Sequence, residues 1–418
     1  MENLVIQPKI ILSEEQEEVL DFIINNTFQK EEDSFICGYA GTGKSVLISE
    51  LCKRMGHHRL SVAAFTNIAA KTLRDKGIPN VRTIHSLIYK TESARSGKLI
   101  ARLPYEHEST PAKECSVLIF DECSMIDADM YDDIKSYGIP CVFFGDMAQL
   151  PPVVFVPDSI KKNKQKKKEY LEDRYYFQVT EPDKVLTKVF RQAEGDPILD
   201  FITGFRLDEP AKSEGYGSSV TFVKDAIPAW RPELKISMDT LNKLFELFKD
   251  DFALICGTNK LRMRINEFVR EKLGYNTPVP QKGEKIITLE NFQDICNGSI
   301  YTVLDVSYEN EWDNVYHVWT EERQKPFKVQ AKNFLHGFPD LAKQMKPIGI
   351  RTAEDAMTDP YIQADFAYVI SCHKAQGSQW EKVCVLDESR VFGEYAKNWF
   401  YTAISRASKE LFVFKQGK

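Results

Sequence analysis

The sequence lacks long apolar runs, paired cysteines and an excess of positive charge. No stretch approaches the ~18 consecutive apolar residues that a membrane-spanning helix needs. The N-terminal MENLVIQPKI does not have the basic-then-apolar order of a signal peptide. We therefore expect a cytoplasmic protein without membrane contacts. Its 418 residues, 43% hydrophobic and 28% charged, are typical of a globular chain of about two to four domains.

Metal and disulfide chemistry have little support in the composition. The nine cysteines are scattered with no C-x-x-C pair, and the seven histidines form no cluster. This pattern supports neither a zinc site nor a disulfide framework. The net charge of −6 argues against a protein that coats nucleic acid. It leaves open a protein whose contact with a strand is confined to one groove.

Positive charge is dense in only one place, the run KKNKQKKK at 161–168. We interpret this run as a solvated loop. The surrounding segment, 154–180, matches no motif.

A phosphate-binding loop is predicted in FICGYAGTGKSVL, residues 35–47, which has the spacing G-x-x-x-x-G-K-[ST]. An apolar run precedes it and SVLISELCKRM, with helical spacing, follows, so the context is strand, loop and helix. Lys44 would reach the β- and γ-phosphates and Ser45 the Mg²⁺ ion. The residues predicted to bind nucleotide here are Gly38, Ala40, Gly41, Thr42, Gly43, Lys44 and Ser45.

A second part of a nucleotide site follows in SVLIFDECSM, residues 116–125. An unbroken apolar run is typical of a parallel strand buried on both faces, and ligands bind at the carboxyl ends of such strands. Asp121 would hold the metal together with Ser45. Glu122 would orient and deprotonate a water molecule, which predicts hydrolysis of ATP rather than transfer to an acceptor.

Several later segments repeat the order of strand, polar turn and helix, which predicts an α/β fold with two parallel sheets. They are LSVAAFTNIAAKTL (60–73), CVFFGDMAQLPPV (141–153), FALICGTNK (252–260), FAYVISCHKAQGSQ (366–379) and YTAISRASKELFVF (401–414). Because only the first sheet carries a phosphate loop, we expect ATP to bind in a cleft between two paired domains.

Read in order, ten segments resemble the motifs of the superfamily 1 helicases, and specifically the RecD-like branch that includes the phage Dda helicase. They are LSEEQEEVL, GYAGTGKS, AAFTNIAAKTL, TIHSLI, LIFDECSM, GDMAQLPPV, VFRQAEGDPI, GTNKLRMRIN, SCHKAQGSQWEKV and YTAISRA. The resemblance covers nearly the whole chain. It implies two RecA-like domains, a DNA helicase activity, movement in the 5′→3′ direction and a phage origin.

The resemblance also implies roles for individual residues at the nucleotide. Gln16 would read the adenine edge and Gln149 would sense the γ-phosphate, which Gln376 and Gly377 would also face. Arg191 and Arg406 would be arginine fingers, since a planar, permanently charged fork bridges phosphate oxygens. The implied catalytic set is Lys44, Asp121, Glu122, Gln149, Arg191 and Arg406.

The remaining motifs imply contacts with single-stranded DNA, held by its phosphates without sequence information. The implied contact residues are Thr66, Asn67, Thr83, His85, Pro152, Thr258, Asn259, His373 and Lys374. Two positions depart from the pattern or leave it open. Ser405 replaces the usual threonine but keeps its hydroxyl, and Phe190 either stacks on the base or fills core.

Two insertions complete the implied domain plan. Residues 89–112 contain Ser96-Gly97 beside the alternating KLIARL, which predicts a β-hairpin. In the resembling helicases this position holds the pin that splits the duplex, so Leu103 and Tyr105 could cap the last base pair. Residues 283–360 alternate in the manner of a small β domain, SH3-like in the family, which either clamps the strand or is a structural embellishment. The first RecA-like domain is then 1–88 and 113–188, and the second is 189–282 and 361–418.

The sequence thus predicts an ATP- and Mg²⁺-dependent DNA helicase acting in replication, recombination or repair. Its partners would be single-stranded and forked duplex DNA, with single-stranded-DNA-binding protein or replisome and recombination proteins as further candidates. If the chain is phage-encoded, its compartment is the host cytoplasm. Two alternatives stay open: a nucleic-acid-stimulated ATPase without strand separation, and a P-loop phosphotransferase.

Overall fold

The structure is a computed structural model that describes most of the chain. The described residues are 11–56, 60–93, 99–190, 196–208, 219–229, 232–275, 277, 279–289, 298–310, 315–330 and 361–417.

The elements alternate between strand and helix through much of the chain. The strands are β1 Ser34–Gly38, β2 Leu60–Ala64, β3 Arg82–Thr83, β4 Lys90–Ser93, β5 Leu99–Arg102, β6 Val117–Asp121, β7 Cys141–Gly145, β8 Lys184–Leu186, β9 Val220–Ile227, β10 Ala253–Cys256, β11 Lys285–Thr288, β12 Ile300–Asn310, β13 Val315–Thr320, β14 Phe327–Gln330, β15 Tyr361–Ile362, β16 Ala364–Phe366, β17 Val369–Ser371, β18 Trp380–Leu386 and β19 Ala407–Gln416. The α-helices are α1 Glu14–Ile23, α2 Lys44–Met55, α3 Asn67–Asp75, α4 Ile84–Ile88, α5 Ala128–Lys135, α6 Asp158–Lys161, α7 Lys164–Arg174, α8 Tyr176–Val179, α9 Pro197–Arg206, α10 Pro232–Lys235, α11 Met238–Lys249, α12 Asn259–Lys272, α13 Cys372–Ala375 and α14 Ala396–Ile404.

The first domain is built on a parallel sheet of six strands in the order β3-β2-β6-β7-β1-β8. Every residue of β1, β2, β6 and β7 is buried. Helices α1, α2 and α3 pack on one face, while α4, α5 and α8 pack on the other. A sheet covered on both faces requires apolar side chains on both sides of each strand, which is why these strands read as unbroken apolar runs.

The second domain is built on a parallel sheet of five strands in the order β17-β10-β18-β19-β9. One face packs against α11 and α12, and the other against α9, α13 and α14 with Trp399 and Tyr401 fully enclosed. The expected α/β class with two parallel sheets is confirmed.

A third sheet and a hairpin account for the two insertions. The third sheet has the order β15-β14-β13-β12-β11-β16, with antiparallel pairs except for β14 and β15. It continues to Phe366, past the expected limit at residue 360. Strands β4 and β5 pair antiparallel from Lys90↔Arg102 to Ser93↔Leu99, and the expected Ser96-Gly97 turn lies outside the described residues.

The lysine run is helical, and its interpretation as a loop is wrong. Lys161 ends α6, and α7 begins at Lys164 after the two cap residues Lys162 and Asn163. The Asn163 side chain accepts a hydrogen bond from the Lys166 N–H at 3.1 Å, which satisfies a donor of the first helical turn. The lysine, glutamine and glutamate residues that follow are good helix formers. The run is solvated, as expected, because residues 161–169 are all exposed.

Across the described ranges, we find no helix that is both long enough and apolar enough to span a bilayer.

Candidate active site

The phosphate loop connects the end of β1 to the start of α2. Gly41 and Gly43 have φ of 88° and 83°, a left-handed region that glycine adopts without steric cost. Lys44 Nζ donates to the carbonyl oxygens of Gly38 at 2.6 Å and Tyr39 at 3.0 Å. The lysine thus already lies over the loop that would receive phosphates.

Gln16 braces this loop from α1. Its Oε1 accepts from the Ser13 N–H at 3.0 Å, and its Nε2 donates to the Thr42 carbonyl at 3.1 Å. A Cβ atom on Gly43 would lie 2.5 Å from Nε2, so glycine is required for this approach. The side chain is buried, with one donor and one acceptor position already used. Adenine reading by Gln16 stays a prediction.

The two acids follow the carboxyl end of β6. Burial and the neighbouring charge of Glu122 raise the pKa of Asp121 above its usual range, while Lys44 opposes this. Glu122 has φ 57° and ψ 42°, an uncommon conformation for a residue with a side chain. Its Oε2 atom is buried and finds no hydrogen-bond partner among the described residues. Such an orphaned oxygen at a cleft is available to a water molecule.

Gln149 lies in the loop after β7, which is hydrogen-bonded to the second domain. Its Oε1 is also buried, with no partner in the described part of the chain. The Leu150 N–H donates to Thr402 Oγ1 at 2.8 Å, and Gln376 Nε2 donates to the Leu150 carbonyl at 3.4 Å. Asn398 Nδ2 donates to the Gln149 carbonyl at 3.2 Å. The loop therefore spans the boundary between the domains.

Arg406 lies at the end of α14 and is only 5% exposed. Its guanidinium donates to the carbonyls of Thr402 at 3.0 Å and Ser378 at 3.3 Å and to Ser405 Oγ at 2.8 Å. The serine that replaces the usual threonine thus holds the arginine through its hydroxyl. Arg191 lies outside the described residues.

Lys44, Asp121, Glu122, Gln149 and Arg406 meet in one cleft of about 260 Å³ between the two domains. It is lined by Ala40, Gly41, Thr42, Gly43, Lys44, Ser45, Val46, Ala69, Thr72, Leu73, Lys76, Asp121, Glu122, Gln149, Phe190, Gly377, Ser378, Gln379 and Arg406. Gln16, Gly38 and Gln376, which were also predicted at the nucleotide, are not among the residues that line it. Phe190 is 40% exposed and its N–H donates to the Gly41 carbonyl at 2.9 Å. Phe190 therefore lies at the cleft and is not part of the hydrophobic core.

The donor set fits a Mg²⁺ ion that accompanies phosphates. Within the described ranges, no three His, Cys, Asp or Glu side chains gather in a metal-binding group. Mg²⁺ bound with a nucleotide needs only one or two protein oxygens, because phosphates and water supply the others. Ser45 and Asp121, which line the same cleft, match that requirement.

Sequence reasoning missed a buried network beside the phosphate loop. Tyr401 donates its hydroxyl to Asp146 Oδ2 at 2.7 Å and accepts from the Ala40 N–H at 3.3 Å. Arg206 pairs with Asp146 and lies 3.9 Å from the centre of the Tyr39 ring. Both Asp146 and Tyr401 fall inside the motif segments, which was the only signal that could have singled them out.

Three of the residues predicted to contact single-stranded DNA are helix N-caps. Thr66, Thr83 and Thr258 accept hydrogen bonds from the backbone N–H groups of the helices that follow them. Thr258 also donates to the buried Glu388 at 2.8 Å. A Cβ atom on Gly377 would lie 2.8 Å from Thr66 Oγ1, so the second domain touches the first at this cap.

The other residues predicted to contact single-stranded DNA differ in exposure and charge. Asn259 is exposed, Asn67 is half-buried and Pro152 is buried. Burial lowers the pKa of both His85 and His373, which favours the neutral imidazoles.

The predicted pin residues lie at one end of the hairpin. Leu103 and Tyr105 follow the end of β5, where Arg102 pairs with Lys90, and so lie past the base rather than at the tip. Tyr105 is 55% exposed, with the Arg102 guanidinium 4.0 Å from its ring centre. Their contact with a base pair stays a prediction.

Comparisons with known proteins agree with this arrangement. The family of PIF1-like helicases matches residues 11–198, and the UvrD-like helicase C-terminal domain matches residues 366–414. ATP-dependent DNA helicase Pif1 of Campylobacter jejuni is 23% identical over 430 residues, covering 90% of this chain and 87% of that protein. ATP-dependent DNA helicase RRM3 of Saccharomyces cerevisiae is 29% identical over 225 residues, covering 48% of this chain but only 28% of that protein.

Solved structures share the fold over nearly the full length. Bacteroides Pif1 bound to single-stranded DNA has a TM-score of 0.55 and 20% identity, covering 97% of this chain and 92% of that chain. Pif1 helicase from Bacteroides in complex with ADP-AlF3 and single-stranded DNA has a TM-score of 0.56 at the same identity and coverage. By these matches, residues 11–198 are similar to the PIF1-like helicases and residues 366–414 to the UvrD-like helicase C-terminal domain, and the chain shares the fold of the Pif1 helicase structures.

Proposed function

We propose that this chain is an ATP-dependent DNA helicase that moves along single-stranded DNA in the 5′→3′ direction and separates a forked duplex. The observation that carries the proposal is that Lys44 of the first domain and Arg406 of the second line one cleft. A nucleotide held there contacts both domains, so its hydrolysis changes how they are held together. The relatives from Campylobacter and yeast are ATP-dependent DNA helicases.

The first domain would bind the triphosphate. The loop N–H groups and the N-terminus of α2 favour negative charge, and Lys44 neutralises the β- and γ-phosphates. Ser45 and Asp121 would hold Mg²⁺, which would supply positive charge against the negative charge of the phosphates. A cation beside Asp121 favours the carboxylate form, against the effect of burial.

Glu122 and Gln149 would position the attacking water. Each has a buried carboxylate or amide oxygen without a partner in the described residues, and both line the cleft. Glu122 Oε2 accepts the proton that the water loses as it attacks the γ-phosphorus. Gln149 Oε1 accepts a hydrogen bond from the other O–H group of the water and so aligns the nucleophile.

The second domain would complete the site. Arg406, held by the carbonyls of Thr402 and Ser378, stabilises negative charge on the transferring phosphoryl group. We propose the same role for Arg191. Because the Gln149 loop is hydrogen-bonded to α14 and to Gln376, closure around ATP moves the loop with the second domain.

Movement along a strand requires that the two domain arrangements differ in affinity for it. The proposed contacts with the DNA strand are Thr66, Asn67, Thr83, His85, Pro152, Thr258, Asn259, His373 and Lys374. Single-stranded-DNA-binding protein and replisome or recombination proteins are proposed partners in replication, recombination or repair. A phage origin and a host-cytoplasm location are proposals that rest on the motif resemblance alone.

A tailed-duplex assay run beside Lys44→Ala tests the proposal. We expect strand separation from a 5′-tailed substrate, none from a 3′-tailed one, and ATP hydrolysis that single-stranded DNA stimulates. Lys44→Ala should abolish both activities, because it removes the cation that neutralises the phosphates. Hydrolysis indifferent to DNA would instead favour a phosphotransferase.

A nucleic-acid-stimulated ATPase without strand separation is the second candidate, and the hairpin separates it from the first. Deleting residues 92–100 leaves only the two pairs at the hairpin base, Lys90↔Arg102 and Thr91↔Ala101. If the hairpin is a pin, this deletion should abolish unwinding while sparing DNA-stimulated hydrolysis. Intact unwinding would refute the pin assignment.

A further inference from the structure

The lysine arm, residues 158–174 with helices α6 and α7, carries a concentration of charge that the proposed mechanism does not use. Six lysines fall within residues 161–168 of a chain whose net charge is −6. Lys161 pairs with Asp158 and Lys168 with Glu172. The other four, Lys162, Lys164, Lys166 and Lys167, have no ion pair with any residue of the described ranges.

This charge does not serve the fold. Of the eleven residues of α7 only Leu171 is buried, so the first two turns stand in solvent. Like charges three or four residues apart on a helix repel each other, at about 0.2–0.5 kcal/mol per pair. Lys164 faces both Lys167 and Lys168 in this way. A helix that keeps such repulsion without packing in return is suited to an anionic partner.

The arm is attached next to the hairpin. Arg174, at the end of α7, pairs with Asp129 of α5. Tyr89, at the base of the hairpin, donates its hydroxyl to Asp133 of the same helix. Residues 129 and 133 are four apart, so they lie on one face of α5 about one turn from each other. The eleven residues of α7 span roughly 16 Å, which sets the reach of the lysines from that point.

The other end of the arm joins the boundary between the domains. The chain leaves buried Pro152, a predicted strand contact, and exposes Val153 and Phe155. Lys161 Nζ lies 5.4 Å from the Phe155 ring centre, and Tyr170 donates its hydroxyl to the Phe155 carbonyl at 3.3 Å. The arm is thus joined at one end to the segment that follows the Gln149 loop and at the other end to α5, the helix that also binds Tyr89.

From this placement we infer that the lysine arm binds the phosphate backbone of the duplex ahead of the fork. The inference rests on the proposed function in one respect, that the hairpin lies where the strands separate. Duplex DNA carries one negative charge per about 1.7 Å of axis, and a row of unpaired lysines is complementary to it at any sequence. The contact would hold the duplex against the hairpin.

The test replaces Lys162, Lys164, Lys166 and Lys167 together by glutamine, which keeps the helix and removes four charges. A matched control replaces four other exposed lysines, Lys53, Lys249, Lys272 and Lys409, by glutamine. Both variants are measured by Kd for a blunt duplex and for a single strand of equal length, without ATP, over a range of salt.

We expect the arm variant to bind the duplex about tenfold or more weakly, with the slope of log K against log salt reduced by about 0.9 for each lysine that contacts a phosphate. Its single-strand Kd should change less than about twofold, and the control should match wild type. Equal duplex affinity and slope in wild type and arm variant would overturn the inference and leave an acidic protein surface as the partner. These Kd values are measured without ATP hydrolysis, so they test the inference independently of the proposed function. The proposed function would be refuted by a different result, namely wild-type ATP hydrolysis that DNA does not stimulate.

Discussion

One hydroxyl group, that of Tyr401, connects the phosphate loop to both domains. It bonds Asp146 at 2.7 Å and the Ala40 N–H at 3.3 Å. Asp146 in turn pairs with Arg206, whose guanidinium covers Tyr39. Burial raises the pKa of Tyr401, so the hydroxyl stays protonated and donates to the carboxylate.

Tyr401→Phe should impair hydrolysis through the position of the loop. The substitution keeps the ring and removes both hydrogen bonds, which leaves buried polar groups unsatisfied at a cost of about 1–3 kcal/mol in unfolding free energy. We expect kcat for DNA-stimulated hydrolysis to fall more than KM rises. Tyr275→Phe, which removes only an exposed 3.4 Å bond, is the control. A Tyr401→Phe enzyme with wild-type kcat would show that the network is merely structural.

We expect Lys374, a proposed contact with single-stranded DNA, to make the affinity for that DNA depend on pH. Burial, and then the charge of Arg262, lower the pKa of Lys374 to about 8. The ammonium form, which attracts a phosphate, therefore prevails below pH 8 and is lost as pH rises through that value. We expect the Kd for single-stranded DNA to rise between about pH 7 and pH 9.

Lys374→Arg provides the comparison, since a guanidinium stays charged over this range. Its Kd for the same oligonucleotide should change less with pH than that of wild type. Parallel pH profiles for the two proteins would remove Lys374 from the strand contacts.

At the scale of elements, two buried ion pairs attach the third sheet to α12. Arg262 pairs with Asp365 at 2.7 Å and Arg270 with Glu284 at 2.7 Å. Tyr368 donates a further hydrogen bond to Glu284 at 2.7 Å. The first pair holds β16 and the second the residue before β11, which together fix one edge of the sheet to the second domain.

Glu284→Leu should destabilise this attachment strongly. Removing the carboxylate leaves Arg270 buried without its partner, at a cost of about 3–5 kcal/mol. We expect the thermal midpoint of the second domain to fall by roughly 6–20 °C, as followed by circular dichroism. Glu246→Leu breaks the exposed pair with Lys249 and should cost less than about 1 kcal/mol. Similar midpoints for both variants would contradict the argument.

Elements that depend on local pattern could be predicted from the sequence. The unbroken apolar runs of β1 and β6 and the glycine spacing between β1 and α2 reflect burial on both faces and a turn that needs positive φ. The helix α7 could not be found in this way, because it has no apolar periodicity and depends on the Asn163 cap. Pattern predicts elements that pack, and α7 hardly packs.

In the candidate site, too, local motifs predict some residues and miss the contacts between residues that are distant in the sequence. Lys44, Asp121 and Glu122 belong to short motifs, which place Lys44 at the start of α2 and the two acids at the end of β6. The Tyr401–Asp146 bond joins residues 255 positions apart, and no local pattern encodes such a contact. The use of Gln16 to brace Thr42 is equally invisible in the sequence, since both partners already had motif roles.

At the scale of the whole molecule, the cleft proposed to bind ATP is formed where the two domains meet. Among the described residues that line this cleft, Arg406 is the cation contributed by the second domain, and its guanidinium is hydrogen-bonded to backbone carbonyls of that domain. Nucleotide binding and hydrolysis should therefore be separable. The first depends mainly on one domain and the second on both.

Arg406→Ala should show this separation. An arginine that reaches a transferring phosphoryl group increases the rate by a factor of about 10³–10⁵. Turnover with saturating DNA should therefore fall by a factor in that range. The Kd for a non-hydrolysable ATP analogue should rise far less, because the phosphate loop is intact. Arg390→Ala, which removes only an exposed bond to the Gly417 carbonyl, should leave turnover unchanged. Wild-type turnover in Arg406→Ala would refute a role in chemistry.

The close approach of Gly377 to α3 limits how near the second domain can come to the first. A Cβ atom at this position would lie 2.7 Å from that of Ala69, a separation that real side chains do not reach. Even a methyl group there would hold the two domains apart while leaving the phosphate loop of the first domain in place. We therefore expect the domain closure proposed to accompany ATP binding to be limited at Gly377, where any side chain would meet α3.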